Sequence, residues 1–136
     1  MHQLLVLVGN LGGDPKKRMA GETPVTNFSM ATSKTYNNRD GEKITETTWF
    51  KVAVWGKMAD ACAKYLKKGN KVYVEGELTP DKSNGNPKVF ETKDGGHGAS
   101  YEVKANVVRF LSSKSESDKS TENDEDEVEE TDENSW

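Results

Sequence analysis

Hydrophobic side chains recur every second position along most of this chain and every third or fourth in one stretch, a pattern that predicts a β protein with a single helix. Residues 3–9 hold a continuous apolar run, Leu4 to Val8. The run is ended by Gly9-Asn10-Leu11-Gly12-Gly13-Asp14-Pro15, which reads as a buried strand stopped by turn residues. Residues 25–36, rich in Thr, Ser and aromatics, read as a second strand. After the polar turn at residues 37–41, residues 45–55 alternate cleanly. Phe50, Val52 and Val54 fall on one side of this third strand, and Trp49, Lys51 and Trp55 on the other. Residues 57–68 change period: Met58, Ala61, Cys62, Tyr65 and Leu66 lie at helical spacing, Lys64, Lys67 and Lys68 crowd the last turns, and Gly69 supplies a stop. Val72, Val74 and Leu78 alternate through a fourth strand. Tyr101, Val103, Ala105 and Val107 alternate through a fifth, with a Gly-, Asn-, Pro- and Lys-rich excursion between the two.

Three strands, a helix and two strands match the five-stranded Greek-key barrel called the OB-fold, which commonly binds oligonucleotides or oligosaccharides. The expected architecture is therefore all-β, with one helix between the third and fourth strands, over residues 1–111. Residues 112–136 have no periodicity and are dominated by Ser, Glu, Asp and Asn. They predict a disordered acidic tail, with Trp136 as its one aromatic.

Charge sharpens this division. Residues 1–111 carry 17 Lys and Arg against 12 Asp and Glu, whereas residues 112–136 carry 2 against 11. A basic domain joined to an acidic tail points to a polyanionic partner for the domain, with the tail repelling that anion or meeting a basic protein. The sole cysteine, Cys62, allows no intramolecular disulfide and reads as a buried thiol in a reducing compartment. The apolar start is too short for a signal peptide, and no run approaches the roughly 20 residues that span a bilayer, so a cytoplasmic protein without membrane contact is expected.

The third strand carries the strongest chemical signal. Trp49 and Trp55 with Lys51 between them suit sequence-tolerant binding of a splayed single strand, because an indole stacks on any base and an ammonium pairs with phosphate. The same two rings could instead pack under a loop or a subunit contact, and periodicity alone does not separate the readings. Tyr36 shares the parity of Phe28 and Met30, so either the strand is coiled or bulged before it or Tyr36 is structural. Lys16, Lys17 and Arg18 form a compact basic cluster after the first turn; Lys34, Lys57, Lys82 and Lys88 lie in or near predicted loops. Together with exposed aromatics these cations make phosphate binding the sharper reading. His2 and His97 have no ligand spacing around them, residues 8–13 lack the pattern of a phosphate-binding loop, and no nucleophile stands beside a base. No metal, cofactor or enzymatic activity is expected.

The chain resembles the bacterial single-stranded DNA-binding protein family over about residues 3–111. The resemblance is carried by Leu7-Val8-Gly9-Asn10-Leu11-Gly12 with Asp14-Pro15, Phe28-Ser29-Met30-Ala31-Thr32-Ser33, Thr48-Trp49-Phe50-Lys51-Val52, Trp55-Gly56-Lys57, Tyr65-Leu66-Lys67-Lys68-Gly69 and Val72-Tyr73-Val74-Glu75-Gly76. It implies that Tyr36, Trp49 and Trp55 are base-stacking aromatics, hence a bulge before Tyr36, and that Lys51, Lys34, Lys57, Lys16, Lys17 and Arg18 meet phosphate. The family often has a further Trp after the fourth strand. This chain has Thr79-Pro80-Asp81-Lys82-Ser83 there, which leaves Phe90 or Tyr101 as substitutes.

The resemblance also implies a homotetramer and an acidic tail that recruits replication, recombination and repair proteins. The family's Pro-Phe ending is replaced here by Asp132-Glu133-Asn134-Ser135-Trp136, so Asp132, Glu133 and Trp136 form the expected partner-binding tip. The compact tail is compatible with a phage- or plasmid-encoded version of a protein that otherwise works in the nucleoid. Two alternatives stand beside this reading: an OB-fold RNA-binding or translation protein, and an adaptor whose exposed tryptophans form a protein contact.

Overall fold

The computed structural model describes residues 1–112. Five long strands, β1 (Leu5–Leu11), β3 (Thr23–Asn37), β4 (Lys43–Trp55), β5 (Lys71–Leu78) and β8 (Tyr101–Phe110), follow one another in the order β1-β5-β8-β4-β3. The barrel closes where β3 returns to β1, with Asn10 opposite Ala31 and Leu11 opposite Met30. The β4–β8 pair is parallel, which requires a crossover; α1 (Lys57–Tyr65) and β5 supply it. This is the OB-fold barrel that the pattern predicts. Closure needs Gly9, since a Cβ there would sit 2.1 Å from the Ala31 carbonyl oxygen.

Inward-facing residues alternate along every barrel strand. Leu7, Leu11, Phe28, Met30, Val52, Val54, Val72, Val74, Val103, Val108 and Phe110 make one buried core, joined by Cys62 of α1 and by Leu66 just after it. Each large side chain removed from water in this way contributes about 1.5–3 kcal/mol. Cys62 is buried as expected, and that burial pushes its thiol up to about 12, which keeps it neutral. Thr26, also buried, donates its hydroxyl to the Ala59 carbonyl at 2.7 Å and so fixes α1 on β3.

Several sequence expectations need correction. The first strand runs two residues later than expected and is buried on one face only: Val6 and Val8 are exposed while Leu7 and Leu11 enter the core. The helix ends at Tyr65, not at residue 68. Leu66 turns extended, the Lys68 N–H donates to Asp14, and the Gly69 N–H donates to the Leu11 carbonyl, so bonds to the end of β1 unwind the last predicted turn. Tyr65 is exposed beside Phe110, and Ala59 is buried with Cys62 in its place.

The fifth strand changes phase. Between Glu75 and Gly76 the register shifts, so Asn106 is an extra residue, Val107 leaves the core face, and Val108 and Phe110 fill it. Leu78, the last residue of β5, keeps the parity of Val72 and Val74 and lies opposite Val103, yet it is exposed at the strand end. Three short strands escaped the pattern altogether: β2 (Lys16–Ala20), which adds to the far edge of β3, and the hairpin of β6 (Val89–Glu91) and β7 (His97–Ala99). None has the apolar alternation that burial imposes. The expected bulge before Tyr36 is absent, because β3 and β4 pair without a register break from Val25 opposite Trp55 to Asn37 opposite Lys43.

Candidate nucleic-acid interface

The register of β3 and β4 maps the outer face of the barrel row by row. Trp55 lies beside Val25 and, beyond it, Arg18 of β2. The next row is Lys16, Asn27, Ala53 and Lys104 of β8. Ser29, Lys51 and Glu102 follow, and then Ala31 with Trp49. Side chains in these rows point away from the core because Val52 and Val54, between them on β4, are fully buried. Trp49 and Trp55 are 54 % and 43 % exposed, so the parity read from the sequence holds. At about 3.3 Å per residue they stand about 20 Å apart along the strand.

Gly12 sets how Trp49 lies. Its N–H donates to the Ser29 carbonyl at 2.9 Å, and a Cβ on it would come within 2.4 Å of the indole six-membered ring. Only glycine leaves room for the ring at that place. The tryptophan is thereby held against the outer surface instead of extending freely into water.

Cations gather along the same face. Arg18, Lys51, Lys82, Lys88 and Lys104 line a cleft with Asn27, Ala53 and Trp55, against two acids, Glu77 and Glu102. Lys88 pairs with Glu102 at 3.4 Å. The cleft can therefore take a phosphate chain while the indoles take bases. Lys104 was not singled out from the sequence, yet its position between Val103 and Ala105 on an alternating strand is the signal that could have found it.

Other predicted residues go elsewhere. β2 splits the basic cluster: Lys16 and Arg18 share the tryptophan face, whereas Lys17 turns to α1 and pairs with Asp60 at 2.8 Å. Lys57 is exposed at the start of α1, outside this cleft. Tyr36 and Lys34 lie where β3 and β4 extend past the core as a two-stranded arm, on the opposite face from Trp49 by register. The Tyr36 hydroxyl donates to Glu46 at 3.0 Å, and that carboxylate holds the phenol above its ordinary value; Lys34 approaches the same Glu46 at 3.7 Å and the Tyr36 ring centroid at 6.0 Å. On the tryptophan side the arm carries hydroxyls instead, paired as Ser33 with Thr47 and Thr35 with Thr45. Of the substitute aromatics, Tyr101 packs on Phe50 with centroids 5.6 Å apart, and Phe90 lies under Lys51. Asp132, Glu133 and Trp136, with the rest of the acidic tail beyond Ser112, lie outside the described residues.

Among the described residues no three His, Cys, Asp or Glu side chains gather as metal ligands, and no helix is long and apolar enough to cross a membrane.

Comparison with known proteins adds to this geometry. The chain is 36 % identical over 113 residues to the single-stranded DNA-binding protein of Neisseria meningitidis serogroup A, covering 82 % of this chain and 61 % of that one. It is 39 % identical over 114 residues to the Xanthomonas axonopodis pv. citri protein of the same name, covering 82 % and 59 %. It thus spans about three-fifths of the length of these curated relatives. A solved Plasmodium falciparum SSB in complex with ssDNA superposes with a TM-score of 0.67 at 25 % identity, over 82 % of this chain and 96 % of that one. A small single-stranded DNA-binding protein from Streptomyces coelicolor shares the fold, with a TM-score of 0.62 at 20 % identity over 79 % and 93 %. The sequence profile of the single-strand binding protein family matches residues 2–111, the whole of the barrel with its exposed tryptophan face, and the chain belongs to that family.

Proposed function

We propose that this protein binds single-stranded DNA with little regard to sequence, bases stacking on Trp49 and Trp55 and phosphates meeting Lys51, Arg18, Lys16 and Lys104. The observation that carries the reading is the outer face of β4, where two half-exposed indoles flank a lysine over a basic cleft and a fully buried core fixes their direction. Base–aromatic stacking is sequence-tolerant because every base has a π-face, and a folded duplex hides those faces. The protein then acts as a binding protein and not an enzyme, protecting unpaired DNA during replication, recombination and repair in the nucleoid. Titration with poly(dT) at low salt should quench tryptophan emission, and affinity should fall with salt at a log–log slope of about −0.7 per phosphate neutralised. Equal affinity for duplex DNA, or a preference for RNA in competition, would reject the reading.

Assembly as a homotetramer is part of the proposal. The outward face of β1 exposes Val6 and Val8, with Leu4 just before the strand, and these apolar side chains lie beside Tyr73 and Glu75 on β5. A second copy covering this stripe would bury it as the core buries Leu7. Light scattering that reports a monomer at micromolar concentration would reject assembly. The acidic tail, through Asp132, Glu133 and Trp136, is proposed to dock partner proteins when DNA occupies the basic cleft. Removal of Trp136 should abolish capture of those partners and leave DNA affinity unchanged; the same partners with and without Trp136 would reduce the tail to a solubilising segment.

A further inference from the structure

Of the asparagines in this chain, Asn84 alone is followed by glycine. The pair lies in the loop between β5 and β6, residues 79–88, and both of its residues are exposed. This loop folds back on itself. The Asp81 N–H donates to the Asn86 carbonyl at 2.8 Å, and the Asn84 and Gly85 N–H groups donate to the Asp81 carbonyl at 3.2 and 2.7 Å. Gly85 closes the turn with φ at +78°, a conformation that residues bearing a Cβ rarely adopt, and nothing stands within 4 Å of the place a Cβ would take. Water therefore reaches the Asn84–Gly85 peptide freely.

One more hydrogen bond bears on the reactivity of Asn84. The Asn86 N–H donates to the Asn84 side-chain carbonyl oxygen at 2.7 Å, so the side-chain amide is folded back along the Gly85 peptide instead of standing free in water. A donor on that oxygen polarises the amide carbon and stabilises the negative charge that the oxygen acquires when a nucleophile adds. The nucleophile nearest along the chain is the Gly85 nitrogen, and no Cβ beside it crowds the approach. Its hydrogen bond to the Asp81 carbonyl is the brake, because the nitrogen attacks only once the turn opens and its proton is released. An exposed loop with few buried contacts opens at little cost.

We propose that Asn84 is a site of spontaneous, one-way deamidation that lowers the positive charge of the cleft beside Trp55. The Gly85 nitrogen gives its proton to a solvent base and bonds to the Asn84 amide carbon; the bond from that carbon to the side-chain nitrogen breaks, and the nitrogen leaves as ammonia. Water then opens the cyclic imide at one or the other of its carbonyls, giving aspartate or, with the chain rerouted through the side chain, isoaspartate. Either product carries a negative charge at position 84. The loop holds Lys82 and Lys88 against Asp81, whose carboxyl is kept below the usual carboxylate range by hydrogen bonds from the Ser83 hydroxyl and N–H. Conversion thus takes the net charge of the loop from +1 to zero. Lys82 and Lys88 are among the cations that line the cleft, and a new carboxylate on their loop competes with phosphate for both. The effect on binding rests on the single-stranded DNA reading; the conversion itself does not.

The test incubates the full chain at mildly alkaline pH and physiological temperature and follows the peptide containing residue 84 by mass spectrometry, with isoaspartate scored by enzymatic methyl transfer. Residue 84 should convert before Asn134, which precedes Ser135 in the same chain, and should yield isoaspartate as well as aspartate. Ser83→Ala, which frees the Asp81 side chain and loosens the turn, should convert faster; an unchanged rate would remove the turn as the brake. Residue 84 intact while Asn134 converts would overturn the proposal. In parallel, Asn84→Asp is titrated with a labelled dT oligonucleotide. Its affinity should be about threefold lower than that of the unaltered protein at low salt, the size of one exposed charge contact, and the difference should shrink as salt screens the added charge. Equal affinity at low salt would overturn the effect on the cleft and leave the single-stranded DNA reading standing. No binding by the unaltered protein would overturn that reading and the effect together, while the conversion, read by mass without DNA, is judged on its own.

Discussion

The same two strands behave differently at their two ends. Between Val25 and Ala31, with Trp49 to Trp55 opposite, the β3–β4 ladder forms a wall of the barrel: one face is packed with Met30, Val52 and Val54 and the other shows Trp49, Lys51 and Trp55. From Ser33 to Asn37, with Lys43 to Thr47 opposite, it projects beyond the core, and nearly every side chain on both faces is exposed. In the wall, alternation separates core from site. In the arm it separates only two wet faces, one bearing hydroxyl pairs and the other Tyr36, Lys34 and Glu46. An aromatic on the wall is informative because the fold has already chosen its direction; an aromatic on the arm is not.

The largest effect should come from cutting into the wall's buried face. Met30→Ala should lower stability by about 2–5 kcal/mol in urea melts, whereas Tyr36→Ala, on the same side of the same strand, should change it by less than about 0.5 kcal/mol. A comparable loss from Tyr36→Ala would mean that the arm is packed after all. Phe50→Ala should fall between them, since Phe50 is only partly buried against Tyr101.

Binding should separate the two regions next. Trp49→Ala and Trp55→Ala should each weaken single-stranded DNA binding by about 1–3 kcal/mol with the fold intact. Gly12→Ala should reproduce part of the Trp49 loss by displacing the indole, measurable as a shift in its emission together with reduced affinity. Tyr36→Ala should have the smaller effect of the three aromatic substitutions. An equal effect would show that DNA also crosses the opposite face of the arm, a path that the ladder register does not favour.

β2 allows the same contrast with charge alone. Arg18→Ala should reduce the salt slope of binding by about 0.7, and Lys17→Ala should leave it unchanged, because Lys17 faces α1 and Asp60. Identical slopes for the two variants would remove the distinction between the faces of β2.

The smallest effect belongs to Glu46→Gln. The carboxylate keeps the Tyr36 phenol protonated to higher pH, so its contribution to the fold is present below the ordinary phenol value and is lost as pH rises through the raised one. Replacement by Gln should move the Tyr36 transition down in an alkaline absorbance titration, with little change in melting at neutral pH. An unmoved transition would remove Glu46 as its cause.

Most of the barrel was legible because burial writes a period into the chain. Val72 and Val74, Val52 and Val54, and the Cys62 side of α1 are spaced as their environments demand. Legibility failed where burial was absent or interrupted. β2 and the β6–β7 hairpin are exposed edges whose side chains obey no core. The phase change of β8 depends on the extra residue opposite Gly76, and α1 stops at Tyr65 because Leu11 and Asp14, more than fifty residues earlier, take the N–H groups that follow it.

Sequence by itself therefore determined the number and order of the principal strands, the single crossover helix and the outward direction of Trp49, Lys51 and Trp55. Each follows from local spacing against one hydrophobic core. Only the tertiary structure decided which cations share that face. It brought Arg18 and Lys104 to Trp55 from strands about eighty residues apart, turned Lys17 away to Asp60, left Tyr36 on the far side of the arm, and set Phe90 under Lys51. Neighbourhood across a sheet is fixed by strand register and closure, which are long-range pairings, and no window of sequence contains both partners.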